Sequence, residues 1–103
     1  MSVALPIVLV GLPGAGKSKV GRLLAGHLGV PHVDTDDLIV EREGRAISDI
    51  FTTDGESAFR LMETEAVADA LSRRAVVSLG GGAAATDAVR DLLVGHTVVY
   101  IDA

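Results

Sequence analysis

The chain has no cysteine among its 103 residues, which excludes a disulfide framework and a thiolate metal site. It also lacks an excess of positive charge: 9 Lys and Arg stand against 14 Asp and Glu, a formal net charge of −5. General affinity for nucleic acid or anionic lipid is therefore not expected, and an anionic ligand must be held by local devices such as backbone N–H groups or single arginines. No apolar run approaches the ~20 residues that span a bilayer. The stretch from Met1 to Val10 has no basic n-region and carries Pro6 inside its apolar run, so it reads as a first strand and not as a signal peptide. No linker, repeat or low-complexity segment interrupts residues 1–103. One cytoplasmic domain is expected, without nucleic-acid or membrane partners.

What is present is concentrated at Gly11-Leu12-Pro13-Gly14-Ala15-Gly16-Lys17-Ser18, a complete G-x-x-x-x-G-K-S phosphate loop behind the apolar run Ala4 to Val10. A strand that ends in glycines and turns at once into a helix gathers backbone N–H groups around one point, with the positive end of the helix dipole behind them. Such a nest suits a polyphosphate. Lys17 is placed to reach between the β- and γ-phosphates, and the Ser18 hydroxyl to ligate the accompanying Mg2+. Val20, Leu23, Leu24 and Leu28 recur at helical spacing, so a helix starting near Lys17 is expected to bury that stripe. A dinucleotide-type G-x-G-x-x-G starting at Gly14 fails at Lys19, where glycine is required.

Strand-like and helix-like patterns alternate along the chain. Strands are expected at Val3–Val10, Pro31–Asp34, Ala75–Leu79 and His96–Ile101; the first is apolar on both faces, as a central parallel strand should be. Helical segments are expected around Asp37–Glu43, stopped by Gly44, in a short turn containing Ile47, Ile50 and Phe51, and over Glu56–Ser72, with Phe59, Met62, Ala66, Ala70 and Leu71 on one stripe. Thr86 is expected to cap a helix that buries Val89, Leu92 and Leu93. The alternation predicts a three-layer α/β domain with a parallel sheet and right-handed crossovers. Ligands of such sheets bind beyond the carboxyl ends of the strands, which selects the phosphate loop, Asp34-Thr35-Asp36 and Gly80-Gly81-Gly82.

Each of these has a structural and a chemical reading. Asp34 and Asp36 point to one side if the chain stays extended: one could serve the metal while the other orients a substrate hydroxyl. Helix capping is the competing role, and Asp37 suits the first turn of the helix. Arg60, one position off its helix stripe, is either an exposed i, i+4 partner of Glu56 or a planar clamp for a small carboxylate. Three glycines after a buried strand exceed what a turn needs, and close approach of a ligand to bare backbone accounts for them better. His27 shares the stripe of Leu24 and Leu28 and is expected to be partly buried; His32 and His96 open strands and are expected to be solvated, and no His pair has ligand spacing.

Taken together the motifs resemble the shikimate kinase family, of the nucleoside-monophosphate-kinase type of phosphate-loop proteins. The matching stretches are the phosphate loop, Asp34-Thr35-Asp36, Ile47-Ser48-Asp49-Ile50-Phe51, Gly55 to Arg60 with Glu63, and Ser78-Leu79-Gly80-Gly81-Gly82. The resemblance implies an ATP-dependent kinase that phosphorylates a hydroxyl of shikimate in aromatic amino acid biosynthesis. It implies that Gly14, Ala15, Gly16, Lys17, Ser18 and Lys19 hold the ATP phosphates, with Lys17 neutralising charge. One Mg2+ per subunit would be held by Ser18 and, through water, by Asp34, assisted by Ser78. Asp36 would bind the shikimate hydroxyls and act as base, Arg60 would bind the carboxylate, and Gly80, Gly81 and Gly82 would present backbone to the substrate.

Two departures accompany the match. Lys19 stands where Ser or Thr is common after the Lys-Ser pair. Family members also continue, through a mobile lid with an arginine, a second substrate-binding arginine, a fifth strand and an adenine loop, so the domain reads as truncated after its fourth strand. Loss of a lid arginine removes transition-state stabilisation, and impaired turnover by the 103-residue form is expected. The alternatives are a non-catalytic nucleotide-binding fragment and a related small-molecule kinase acting on an acid such as gluconate. The completed protein is expected to be a monomer.

Overall fold

A computed structural model describes residues 4–11, 16–80, 83 and 86–101. Nine elements follow in order: β1 (Ile7–Gly11), α1 (Lys17–Leu28), β2 (His32–Asp34), α2 (Thr35–Glu43), α3 (Ile47–Asp54), α4 (Glu56–Leu71), β3 (Val76–Ser78), α5 (Asp87–Leu93) and β4 (Thr97–Ile101). The four strands form one parallel sheet in the order β2-β3-β1-β4, with Val8 opposite Val77 and Val98, and Asp34 opposite Ser78. β1 is central, which accounts for its two apolar faces.

Alternation along the strands divides the core. Ile7, Leu9 and Val76 pack with Ala25 of α1 on one face; Val8, Val33 and Val77 pack with Val67 and Ala70 of α4 and Val89 of α5 on the other. A third cluster, Ile39, Ile50, Phe59 and Ala66, binds α2 and α3 to α4. Each fully buried Val or Ile contributes about 1.5–3 kcal/mol, enough for strands of only three residues, such as β2 and β3, to hold their places.

The helix boundaries have local causes. Gly44 closes α2 in the left-handed region at φ 67°, where glycine carries no Cβ penalty. α2 begins at Thr35, two residues before the expected start, because Asp34 caps it: Asp34 Oδ1 accepts from the N–H groups of Asp36 and Asp37 at 2.8 and 3.3 Å. Thr86 occupies the N-cap position of α5, yet its hydroxyl donates to the Ala83 carbonyl and caps no N–H. The expected stripe of α1 is also corrected. Gly21 and Ala25 are its fully buried residues, Leu24 and Leu28 of the expected stripe pack partly buried against the core, and Val20, Leu23 and His27 are exposed. Among the described residues no helix is long and apolar enough to cross a membrane.

Candidate active site

The carboxyl ends of β1, β2 and β3 lie side by side, and each delivers one of the expected motifs to the same edge of the sheet. After β1, the helix α1 starts at Gly16, held at φ 85° where a side chain would be strained. Its first turn has no capping side chain and no acidic residue, so the N-terminal N–H groups and the dipole stay available to an anion. α2 shows the contrast, since Asp34 already satisfies its N-terminus. Lys17 Nζ donates to the Gly11 carbonyl at 3.0 Å, which holds the ammonium at the carboxyl end of β1. Gly14 and Ala15 of the loop, and Gly81 and Gly82 of the glycine triplet, lie outside the described residues. Lys19 is exposed and Ser18 half-buried in the same turn of α1.

The expectation that Asp34 and Asp36 project from one side of an extended strand is overturned, because the chain turns helical at Thr35. Asp34 faces the helix N-terminus as its cap, while Asp36, in the first turn, is carried against the backbone of Gly80. A Cβ added at Gly80 would collide with the Asp36 carboxyl, so any larger residue there would displace that side chain. Thr35 lies fully buried between them: its Oγ1 accepts from Gly80 N at 2.9 Å and donates weakly to the Ser78 carbonyl at 3.5 Å. Capping thus belongs to Asp34, and Asp36 is left for the cleft. Burial, and then the negative neighbours Asp34 and Glu63, push the Asp36 carboxyl above its ordinary value, with Lys17 opposing them.

Arg60 lies at the same edge, on α4. Glu56 is a loose partner at 3.8 Å; the main one is Glu63, whose oxygens accept from Arg60 Nη1 at 3.0 and 3.2 Å. Glu63 is 1% exposed, Arg60 32% exposed, and the guanidinium sits 5.5 Å from the Phe59 ring centroid. A buried carboxylate thus pairs with and locates a half-exposed arginine, and Nη2 remains outside that pair. Sequence reasoning gave Glu63 no role. Its signal was a lone carboxylate on the apolar stripe of α4, three residues after Arg60.

His32 is a second correction. Rather than being solvated at the start of β2, its Nε2 shares a 2.8 Å hydrogen bond with the fully buried Ser78 Oγ beneath α1. Burial, its first cause, holds the imidazole below its ordinary pKa.

A parallel α/β sheet with this loop after its central strand, and acidic and glycine motifs at the neighbouring strand ends, defines a phosphate-loop protein of the nucleoside-monophosphate-kinase type. The family model described as shikimate kinase matches residues 13–103, and the chain belongs to the shikimate kinase family. It is 56% identical over 96 residues to a shikimate kinase of Mycobacterium tuberculosis and 55% identical over 96 residues to one of Thermobifida fusca, covering 92% of this chain in both cases. It spans 54% and 56% of those proteins, about half their length. Among solved structures, the shikimate kinase of Acinetobacter baumannii in complex with shikimate superposes with TM-score 0.89 at 41% identity, over 94% of this chain and 55% of that one. The shikimate kinase of Aquifex aeolicus superposes with TM-score 0.87 at 38% identity, over 94% of this chain and 59% of that one.

Proposed function

We propose that this chain forms the nucleotide and acceptor side of a shikimate kinase site, and that the whole protein transfers the γ-phosphoryl group of ATP to a hydroxyl of shikimate in the cytoplasm. The observation that carries the reading is the junction at Gly80, where the Asp36 carboxyl meets bare backbone and feels the charges of Lys17 and of Glu63, the partner of Arg60. One end of that junction suits polyphosphate, the other a small hydroxylated carboxylate.

The roles follow from chemistry. Gly14, Ala15, Gly16, Lys17, Ser18 and Lys19 hold the phosphates through backbone N–H groups and positive charge. The donors near the loop are hard oxygens, the Ser18 hydroxyl and the Asp34 carboxylate, whose capping bonds both use Oδ1; they fit Mg2+. Among the described residues no three His, Cys, Asp or Glu side chains form a metal cage, so the ion takes further ligands from nucleotide and water. When bound, Mg2+ neutralises charge on the phosphates. Arg60 receives the shikimate carboxylate, and Gly80, Gly81 and Gly82 allow the ring close to the backbone. Asp36, made more basic by its surroundings, orients the attacking hydroxyl and takes its proton as the oxygen–phosphorus bond forms and the bond to the ADP oxygen breaks.

Thermal melting and calorimetry of the purified chain test this. Shikimate and ATP with Mg2+ should each raise the Tm, and gluconate should not. Arg60→Ala should weaken shikimate binding roughly ten- to a hundredfold, as loss of a charged hydrogen bond worth about 1.5–3 kcal/mol implies, and leave nucleotide binding intact. Lys17→Ala should do the reverse. Equal protection by gluconate, or none by shikimate, would overturn the assignment.

A further inference from the structure

Gly80 lies at the crowded centre of the site, and both of its backbone polar groups are already used within the chain. Its N–H donates to Thr35 Oγ1 at 2.9 Å, and its carbonyl accepts from the Ala83 N–H at 3.1 Å. Gly80 therefore offers a ligand room and no hydrogen bond. On the protein side that room is taken by the Asp36 carboxyl, which lies where a Cβ of residue 80 would stand. Thr35 immediately precedes Asp36 in the first turn of α2 and is fully buried. Its hydroxyl crosses to β3, accepting from Gly80 and donating weakly to the Ser78 carbonyl at 3.5 Å. A hydroxyl can do both at once, and a valine of the same shape can do neither. The Asp34 carboxylate holds the Asp36 N–H from the other side at 2.8 Å. The backbone of Asp36 is thus tied, through its neighbour Thr35, to the residue that its own side chain touches.

We propose that Thr35 is a positioning residue for the acceptor half of the site: its hydroxyl ties the first turn of α2 to the end of β3 and so sets where the Asp36 carboxyl stands over Gly80 and how it meets the acceptor hydroxyl. Without that hydroxyl α2 and β3 stay packed, but nothing fixes the turn along β3. The Gly80 N–H loses its acceptor, and the Asp36 carboxyl moves off the glycine toward solvent. Misplacement of a reacting group by about 1 Å is enough to weaken what it does severely. This role rests on the acceptor site proposed above.

Two measurements on the 103-residue chain test it: affinity for shikimate by calorimetry, and titration of the Asp36 carboxyl followed by carbon NMR. The second needs no ligand. That carboxyl feels the charges of Asp34, Glu63, Lys17 and Asp37, and its burial holds it above 3.8. Thr35→Val should move its midpoint back toward 3.8. The same variant should bind shikimate about tenfold more weakly, the scale of coupling within one hydrogen-bond network, and bind ATP as before. Thr35→Ser should restore both readouts. A lower melting temperature alone would move neither. Should Thr35→Val fail to fold, Thr35→Cys against Thr35→Ser, which differ only in sulfur for oxygen, carries the comparison. An Asp36 midpoint that stays in place, or equal losses for shikimate and ATP, would overturn the role of Thr35. If the unsubstituted chain binds no shikimate, the proposed function fails, and the Asp36 titration still decides for or against Thr35.

Discussion

Asp36 is the residue whose chemistry the fold alters most. Its carboxyl is held above the ordinary value of 3.8, first by burial and then by Asp34 and Glu63. Between that value and the raised one, the folded protein binds more protons than the unfolded chain, so stability falls as pH rises through the window and stays lower above it. Asp36→Asn imitates the protonated form. It should raise the Tm at pH 7 while removing phosphoryl transfer, and the gain should shrink as pH falls from the raised value toward 3.8. A variant melting at or below the unsubstituted protein at pH 7 would show that the carboxylate is not strained there. This cost is of the kind that sites carry for function. The place of Asp36 after a strand was legible; that its carboxyl would be raised was not, because burial, the largest cause, and the approach of Glu63 from another helix are set by packing.

Between elements, the decisive contact is Thr35, which ties the start of α2 to the end of β3. Thr35→Val keeps the shape and leaves the Gly80 N–H without its acceptor inside the protein, a loss of about 1–3 kcal/mol. Thr35→Ser should keep most of the stability, and urea denaturation separates the two; equal midpoints would mean that Gly80 N finds another partner. Helix ends were readable where the cause is local, as at Gly44. The start of α2 was misread because a cap changes the outcome: Asp34 draws Thr35 into the helix; at α5 the N-cap position of Thr86 was right, but its hydroxyl turns to Ala83. The buried stripe of α1 was right at Leu24 and Leu28 and wrong at Val20 and Leu23, because periodicity shows that a face exists, and the neighbouring sheet selects which residues of it are covered.

Among the described residues the sheet ends on β4, which pairs with β1 on one side and with no strand on the other. Val98, Val99 and Tyr100 are 41%, 40% and 62% exposed, an unpaired apolar edge of the kind that recruits another strand. The chain should therefore self-associate with rising concentration in sedimentation, and Val99→Lys should shift it toward monomer without changing the melting curve at low concentration. A monomer at all concentrations would refute this. The sequence by itself determined the phosphate loop, the alternation of strands and helices, and the places of Asp34-Thr35-Asp36 and Gly80 at strand ends, because these depend on spacing along the chain. Only the tertiary structure decided that Glu63 would seat Arg60, that Gly80 would press on Asp36, and that His32 would meet Ser78, 46 residues away. Periodicity records which face of an element is buried. Which partner that face meets is settled by packing, where shape and hydrogen bonding between distant segments are satisfied together.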